Sequence, residues 1–225
     1  MDNKNSKSNK AIGFLTLLFV LVFAGVLIYR FTPLGVPEGG VTSKQTGEVT
    51  SSTLKVASLD GQKNENKDYD IVPLVLQLKD GVVEIELWRN VAPLHVERIV
   101  ELTKTGFYDG IVFHRVIDGF MAQTGDPTGT GMGGSDMADL KAEFNNEPFV
   151  RGTLGMARSQ NPDSANSQFF ITFGDTPFLN GNYTVFGKVI SGMEFVDAIK
   201  KGNENNNGVV ENPDKILSLK LKEIN

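Results

Sequence analysis

One arginine in an apolar setting is the residue of this sequence with the clearest capacity for chemistry. Arg115 lies among large apolar side chains in FHRVIDGFMAQTGD, residues 113–126, and Gln123 follows it. A guanidinium group stays protonated and presents several N–H donors, so it can stabilise electron density without transferring a proton. By itself, the pattern also fits a surface arginine that covers the edge of the core or pairs with Asp109 or Asp118.

The residue types that most other catalytic sites need are missing or badly placed. The chain has no cysteine and only two histidines, His95 and His114, without metal-ligand spacing, so thiolate and metal chemistry are disfavoured. We expect neither a metal nor a cofactor, a solvated His95 and a hydrogen-bonded, structural His114. GTGMGG, residues 129–134, formally matches a dinucleotide fingerprint, but it lacks the strand–turn–helix context.

Length and charge indicate one globular domain with appendages. The chain has 225 residues, with 27 acidic and 22 basic side chains and a net charge of -5. This length allows a sizeable buried core. A negative net charge offers no general attraction to nucleic acid, so we expect no nucleic-acid partner.

An apolar segment near the N-terminus predicts a membrane anchor. Residues 11–29, AIGFLTLLFVLVFAGVLIY, carry no charge, and as a helix rising about 1.5 Å per residue they nearly cross a hydrocarbon core. Lysines among residues 1–10 predict a cytoplasmic N-terminus by the positive-inside rule, with the rest of the chain outside the cell membrane. A signal peptide cleaved after Ala24 and a cytoplasmic orientation of the folded domain remain the alternatives.

The sequence therefore divides into four parts. We assign residues 1–10 to a short cytoplasmic N-terminus, 11–30 to a single transmembrane helix, 31–67 to a linker and 68–225 to a folded domain. The linker is rich in Gly, Ser, Thr, Pro and Lys and shows no sustained hydrophobic period, which is typical of a flexible tether.

The folded part reads as many short strands and two helices. Residues 74–88, LVLQLKDGVVEIELW, hold two alternating apolar runs joined by Asp-Gly, the signature of a tight β-hairpin. Pro93 suits the start of a helix that Gly106 ends. Residues 191–202 predict a second helix opened by a Ser-x-x-Glu capping box. Short strands without a βαβ rhythm favour a closed or nearly closed antiparallel β-barrel with helical lids.

Three separated stretches resemble the cyclophilin-type peptidyl-prolyl cis-trans isomerases. Their loop sequences are similar to those of bacterial members. They are residues 113–134, 152–173 and 177–189, within a match over roughly residues 69–225. The resemblance implies a mainly β fold: a closed eight-stranded antiparallel barrel capped by two α-helices, here preceded by the transmembrane helix. It also implies a rotamase that accelerates rotation of X-Pro bonds in proline-containing polypeptides. Together with the predicted anchor, this indicates substrates that fold outside the cytoplasm.

The resemblance also implies the site residues, position by position. The catalytic group falls on Arg115, Phe120 and Gln123. The substrate-binding positions fall on Met121, Gly131, Ala157, Arg158, Ser159, Gln168, Phe170, Phe178, Leu179 and Tyr183.

Several of these positions depart from the common eukaryotic pattern. Phe178 stands where many members carry tryptophan, Tyr183 where many carry histidine, and Arg158 replaces an asparagine that binds mainly through its backbone. The missing indole N–H predicts weak cyclosporin binding. We expect a monomer. The alternative function is a proline-peptide binding or chaperone module that keeps the groove but does not catalyse.

Overall fold

A computed structural model describes residues 67–223 of the chain. Within that range, no helix is both long and apolar enough to cross a bilayer. The predicted cytoplasmic N-terminus, the transmembrane helix and the linker up to residue 66 lie outside the described residues.

Strands dominate the described residues, with two short α-helices between them. The helices are α1, Pro93–Lys104, and α2, Met193–Asp197. Single 3-10 turns cover Pro177–Leu179 and Glu204–Asn206. The strands are β1, Ile71–Gln77; β2, Val82–Trp88; β3, Arg115–Ile117; β4, Met121–Thr124; β5, Thr153–Met156; β6, Phe169–Thr172; β7, Val185–Ser191; and β8, Ser218–Leu221.

The predicted hairpin and first helix are both confirmed. The amide of Leu78 donates to the Gly81 carbonyl at 2.9 Å, which closes the turn between β1 and β2. Helix α1 starts at Pro93, where the missing N–H removes no intrahelical bond. Gly106 follows the helix with a φ of 73°, a left-handed conformation that glycine adopts without strain.

The second helix is shorter than predicted, and its expected capping box is wrong. Ser191 still belongs to β7, and Gly192 occupies the N-cap position with a φ of 81°. A side chain at this position would meet the Val82 carbonyl oxygen at 2.3 Å. The close approach of β2 therefore selects glycine where the sequence pattern suggested a serine cap.

The sheet is antiparallel and eight-stranded as expected, but it is a curled half-barrel instead of a closed barrel. Its order is β3-β4-β6-β5-β7-β2-β1-β8, and among the described residues the edge strands β3 and β8 form no ladder with each other. Isolated backbone hydrogen bonds join the segments that precede β3 and β8. One of them runs from the Phe113 amide to the Asp214 carbonyl at 2.9 Å. Asn212 has a φ of 51° and Pro213 lacks an N–H, so an extended ladder is interrupted there.

Buried apolar side chains form two clusters on opposite faces of the sheet. Along β6, Phe169 and Ile171 belong to the larger cluster, which packs against the helices, while Phe170 belongs to the smaller one. Alternate residues of a strand point to opposite faces, so the smaller cluster lies on the face away from the main core. Its buried members are Trp88, Met121, Phe149, Phe170, Leu179 and Val185.

Candidate functional site

Strand register aligns the predicted site residues in one row across the outer face. Arg115 on β3 lies opposite Gln123 on β4, and Gln123 lies opposite Phe170 on β6. Phe170 in turn lies opposite Gly155 on β5. Directly opposed residues of antiparallel strands share a face, so residues from two separate motifs meet beside the smaller apolar cluster.

Arg115 is held by neutral oxygen acceptors. Its Nε donates to the Asn207 carbonyl and its Nη2 to the Asn207 side-chain oxygen, both at 3.0 Å. Its Nη1 donates to Gln123 Oε1 at 3.2 Å and faces Met121 Sδ at 3.8 Å. Burial lowers the pKa of Arg115 from its usual value, an effect that nearby Tyr183 partly opposes. A guanidinium nevertheless stays charged in proteins, so the site presents a fixed cation.

The alternative in which Arg115 pairs with Asp109 or Asp118 at the surface is wrong. Asp109 accepts instead from the Leu219 amide at 2.9 Å and from Lys220 Nζ at 2.6 Å. The acceptors of Arg115 within residues 67–223 are uncharged. Its positive charge is therefore not neutralised by an ion pair there.

A relay of two glutamines orients the acceptor of Arg115. Gln168 Nε2 donates to the carbonyls of Gly131 and Gly133, at 3.1 and 2.8 Å. Carbonyls only accept, so Gln168 must turn its Oε1 the other way, where it accepts from Gln123 Nε2 at 2.9 Å. Gln123 consequently points its own Oε1 at Arg115. Both amides are thus fixed by backbone acceptors at the end of the relay.

The loop that supplies those backbone acceptors is organised by a buried carboxylate. Asp126 accepts from the Thr128 amide at 2.7 Å and from the Gly131 amide at 2.6 Å. Burial would raise the pKa of Asp126, but hydrogen bonds from Thr128, Gly133 and Gly131 outweigh it and lower the pKa to about 2. The glycine-rich stretch that formally matched a nucleotide fingerprint is therefore wrapped around a carboxylate of this chain, and it shapes the edge of the site.

Beside Arg115 lies a patch of apolar side chains, the apolar pocket. Met121, Phe170 and Leu179 are buried, and Phe120 is half-buried against the same cluster. The rings of Phe120 and Phe178 are 5.4 Å apart between centroids, and 64% of Phe178 is exposed. The pocket therefore has a buried floor and an exposed aromatic rim.

Gly155 makes room for this floor, a role that the sequence analysis missed. A Cβ at position 155 would lie 2.4 Å from Phe170 and 2.5 Å from Phe149, whose rings stack at 5.6 Å. Nothing in the local pattern GTLGMAR distinguishes this glycine from an ordinary turn residue. Only the sheet register shows that two rings occupy the space of its side chain.

Asn207 is the second functional residue that the sequence analysis missed. It follows the 3-10 turn at Glu204–Asn206 with a φ of 52°, and asparagine tolerates this left-handed conformation better than most residues. Composition predicted only a loop. An Asn-Gly pair at residues 207–208 was the available signal for the conformation, although not for the contact with Arg115.

The remaining predicted positions form the rim or lie behind it. The rings of Tyr183 and Phe170 are nearly perpendicular, with centroids 5.7 Å apart, and Ala157 packs against the same cluster. Arg158 covers Tyr183, with Cζ 4.7 Å from the ring centroid. Ser159 is exposed on the adjoining loop, where its hydroxyl lies 2.7 Å from that of Ser164.

Both histidines are buried, and neither belongs to the row of residues that contains Arg115 and Gln123. The prediction of a solvated His95 is wrong, because its ring is fully buried with Nδ1 2.6 Å from Glu143 Oε2. His114 is also buried, behind Gly131, where a Cβ would lie 3.3 Å from the His114 ring. The prediction that this ring is hydrogen-bonded is wrong, because neither ring nitrogen has a hydrogen-bond partner within residues 67–223. Across residues 67–223, no group of three or more His, Cys, Asp or Glu side chains could hold a metal ion.

Comparison with known proteins links this arrangement to one family. The family model described as cyclophilin type peptidyl-prolyl cis-trans isomerase/CLD matches residues 73–221. A probable peptidyl-prolyl cis-trans isomerase of Brucella suis is 58% identical over 160 residues, which cover 66% of this chain and 82% of the relative. A peptidyl-prolyl cis-trans isomerase of Acinetobacter baylyi is 43% identical over 155 residues, covering 64% and 82% of the two chains.

Solved structures show the same likeness. A crystal structure of a cyclophilin type peptidyl-prolyl cis-trans isomerase from Cryptosporidium parvum matches with a TM-score of 0.63 at 29% identity, covering 69% of this chain and 99% of that one. A second structure of that protein, in the presence of the dipeptide Ala-Pro, matches with a TM-score of 0.62 at 30% identity, covering 68% and 99%.

Proposed function

The chain belongs to the cyclophilin-type peptidyl-prolyl cis-trans isomerase family, and we propose that the row containing Arg115 is the groove in which it rotates X-Pro bonds. One observation carries this assignment. Arg115 is fixed by Asn207 and Gln123 directly beside a pocket lined by Phe120 and Met121. A fixed cation next to an apolar surface suits a proline ring and its nitrogen.

The reaction requires no bond to be made or cleaved. Rotation about an X-Pro bond disrupts amide resonance against a barrier of about 18–20 kcal/mol, and uncatalysed exchange takes tens to hundreds of seconds. In the twisted amide, the prolyl nitrogen becomes pyramidal and recovers its lone pair. A donor aimed at that nitrogen therefore binds the transition state better than the planar ground state.

Arg115 has donors left for this purpose. Its Nε and one N–H each of Nη1 and Nη2 are committed to Asn207 and Gln123. A guanidinium carries five N–H groups, so one N–H of Nη2 remains, together with an Nη1 N–H that faces only the weakly accepting Met121 Sδ. The committed contacts hold the remaining donors in place before substrate arrives, so no reorganisation is needed during the twist.

The apolar pocket and Gln123 place the substrate against these donors. Phe120, Met121, Phe170 and Leu179 enclose the pyrrolidine ring and exclude water, which strengthens the electrostatic interaction with Arg115. One N–H of Gln123 Nε2 is used by Gln168, and the second holds a substrate carbonyl. Proline-containing polypeptides are the substrates that this arrangement fits, in keeping with the Ala-Pro dipeptide used with the Cryptosporidium parvum relative.

Exchange NMR on a short X-Pro peptide tests this assignment. Full-length protein in detergent micelles is compared with its Arg115→Ala and Arg115→Lys variants. We expect the wild type to accelerate exchange, and both variants to lose most of the acceleration while still binding peptide, because lysine lacks the planar fork. Peptide binding by the wild type without acceleration would instead support a non-catalytic binding module.

We also propose that residues 11–30 anchor the enzyme as a single-pass transmembrane helix, with the domain at residues 68–225 on the outer side of the cell membrane. The support is the uncharged stretch and the lysines before it, following the length and charge rules for membrane helices. In this position a monomer of 24.5 kDa would assist folding of extracytoplasmic proteins.

Protease treatment of intact and permeabilised cells tests the orientation. An outward-facing domain is digested on protoplasts with an intact membrane, whereas a cytoplasmic domain is digested only after permeabilisation. The mass of the purified chain decides between an anchor and a signal peptide cleaved after Ala24, and light scattering in detergent gives the oligomeric state.

A further inference from the structure

A second arginine, Arg158, lies at the rim of the groove in a fixed conformation. Its Nε and Nη2 both donate to the Asn182 carbonyl, at 3.2 and 2.7 Å, and its Nη1 donates to the Ser159 carbonyl at 2.9 Å. Its guanidinium covers the Tyr183 ring at 4.7 Å and lies 5.8 Å from the Phe144 ring centroid. The position of the charge is therefore set before any ligand binds.

The charge of Arg158 has no acidic partner within residues 67–223, where the acceptors of its guanidinium are carbonyl oxygens. Two other surface arginines differ in this respect: Arg151 binds the Asp197 carboxylate at 2.8 Å, and Arg89 lies 3.4 Å from that of Asp70. Three of the five N–H groups of Arg158 are used, which leaves one on Nη1 and one on Nη2. These two nitrogens can together bind a carboxylate in a bidentate pair.

Arg158 is close enough to the proline pocket to contact a bound peptide. Both Arg158 and Phe170 are close to the Tyr183 ring: Arg158 Cζ is 4.7 Å and the Phe170 ring centroid 5.7 Å from the Tyr183 centroid. An extended peptide rises about 3.3 Å per residue. A side chain within about three residues of the proline can therefore reach Arg158.

We propose that Arg158 makes this enzyme prefer substrates with an aspartate or glutamate within about three residues of the isomerised proline. The substrate carboxylate accepts from the unused N–H groups of Nη1 and Nη2. The Asn182 and Ser159 carbonyls and the Tyr183 ring already hold the guanidinium, so little side-chain entropy is lost on binding. The inference rests on the proposed isomerase function of the same groove and adds a substrate class to it.

A peptide series tests the preference. Peptides blocked at both ends carry one X-Pro bond, with glutamate scanned through the neighbouring positions on both sides and glutamine at the same positions as the neutral isostere. Using kcat/KM for the full chain in detergent, we expect glutamate to exceed glutamine roughly twofold to fivefold at one position, as for a partly exposed ion pair. This ratio should fall towards one as salt screens the charges.

Three variants distinguish the effect of Arg158 on substrate preference from that of the overall electrostatic field of the protein. Arg158→Gln should bring the glutamate-to-glutamine ratio to about one, and Arg158→Glu should make a lysine peptide the better substrate. Lys104→Gln, the matched control, removes the same charge from the exposed end of α1 and should leave the ratio unchanged.

The outcomes distinguish this inference from the proposed function. A wild-type enzyme that accelerates neither the glutamate nor the glutamine peptides contradicts the isomerase assignment itself. A wild-type enzyme that accelerates glutamate and glutamine peptides equally at every position overturns only the role of Arg158. A preference that survives in Arg158→Gln, or that Lys104→Gln abolishes equally, overturns it as well.

Discussion

Asn207 binds Arg115 through two oxygens, although the two residues lie 92 positions apart in the chain. The Asn207 carbonyl accepts from Nε and its side-chain oxygen from Nη2, both at 3.0 Å. This contact fixes one edge of the guanidinium and leaves the other edge for Gln123 and the substrate. Asn207 is therefore a positioning residue for the proposed reaction.

Removing the Asn207 side chain should slow catalysis more than it weakens binding. Asn207→Gly keeps the left-handed backbone but removes the oxygen that holds Nη2, so Arg115 gains freedom. We expect kcat to fall about tenfold, equivalent to one lost hydrogen bond to a charged group, with little change in KM. An unchanged kcat at unchanged stability would contradict this role.

The glutamine relay should support both stability and activity. Gln168→Leu leaves the Gly131 and Gly133 carbonyls and one Gln123 N–H without a partner, which should lower the free energy of unfolding by about 1–3 kcal/mol. Because Gln123 loses its fixed orientation, kcat/KM should fall as well. Urea unfolding and peptide kinetics measure the two effects.

Gln77→Leu is the matched control for the relay. Gln77 is also half-buried and donates to backbone carbonyls, those of Leu78 at 2.8 Å and Gly81 at 3.3 Å, but it lies in the β1–β2 hairpin. We expect a loss of stability without a loss of kcat/KM per folded molecule. Equal loss of activity in both variants would assign the effect of Gln168 to folding alone.

Gly155→Ala should distort the proline pocket. Its methyl group would lie within 2.5 Å of the Phe149 and Phe170 rings, and such overpacking typically destabilises a protein by about 1–3 kcal/mol. Peptide KM should rise as Phe170 moves. Gly174→Ala is the control, because the nearest atom to its Cβ would be 3.7 Å away. Equal melting temperatures and equal KM values for the two variants would contradict the predicted crowding.

Cyclosporin should bind weakly and should bind better to Phe178→Trp. Phe178 lacks the indole N–H that tryptophan-bearing cyclophilins offer to this ligand, and its exposure of 64% leaves room for the larger ring. One recovered neutral hydrogen bond predicts an affinity gain of roughly threefold to tenfold, measured by calorimetry. Phe144→Trp, at another exposed rim position, should produce no such gain.

Stability should decrease as the pH falls below the ordinary pKa of histidine. Burial lowers the pKa of His95 and of His114 from 6.5 in the folded protein, so the unfolded chain takes up protons first. The free energy of unfolding should therefore be fully present above about pH 6.5 and decline towards about pH 5.5. Denaturant unfolding at both ends of this range should show a smaller decline in the free energy of unfolding for His114→Leu than for the wild type. An identical decline would exclude His114 as a source of the pH dependence of stability.

Local patterns in the sequence determined much of this protein. The Asp-Gly hairpin, the helix beginning at Pro93 and the antiparallel arrangement of short strands follow from turn residues and hydrophobic periods, which act over a few residues. The motifs around Arg115, Gln168 and Tyr183 were sufficient to predict the family. Of the positions that they imply, Arg115, Gln123 and Phe170 lie in one row on the outer face of the sheet, beside the cluster of Met121 and Leu179.

Only the tertiary structure decided the contacts that depend on how the chain returns to itself. Local periodicity predicted a solvated His95 and a serine cap on α2, but packing against Glu143 and the approach of β2 to Gly192 decided otherwise. The half-barrel, the packing of two rings against Gly155 and the hydrogen bonds between Asn207 and Arg115 likewise depend on contacts between segments that are distant in sequence. Strand register and loop closure bring such segments together, and no pattern of a few residues encodes those long-range distances.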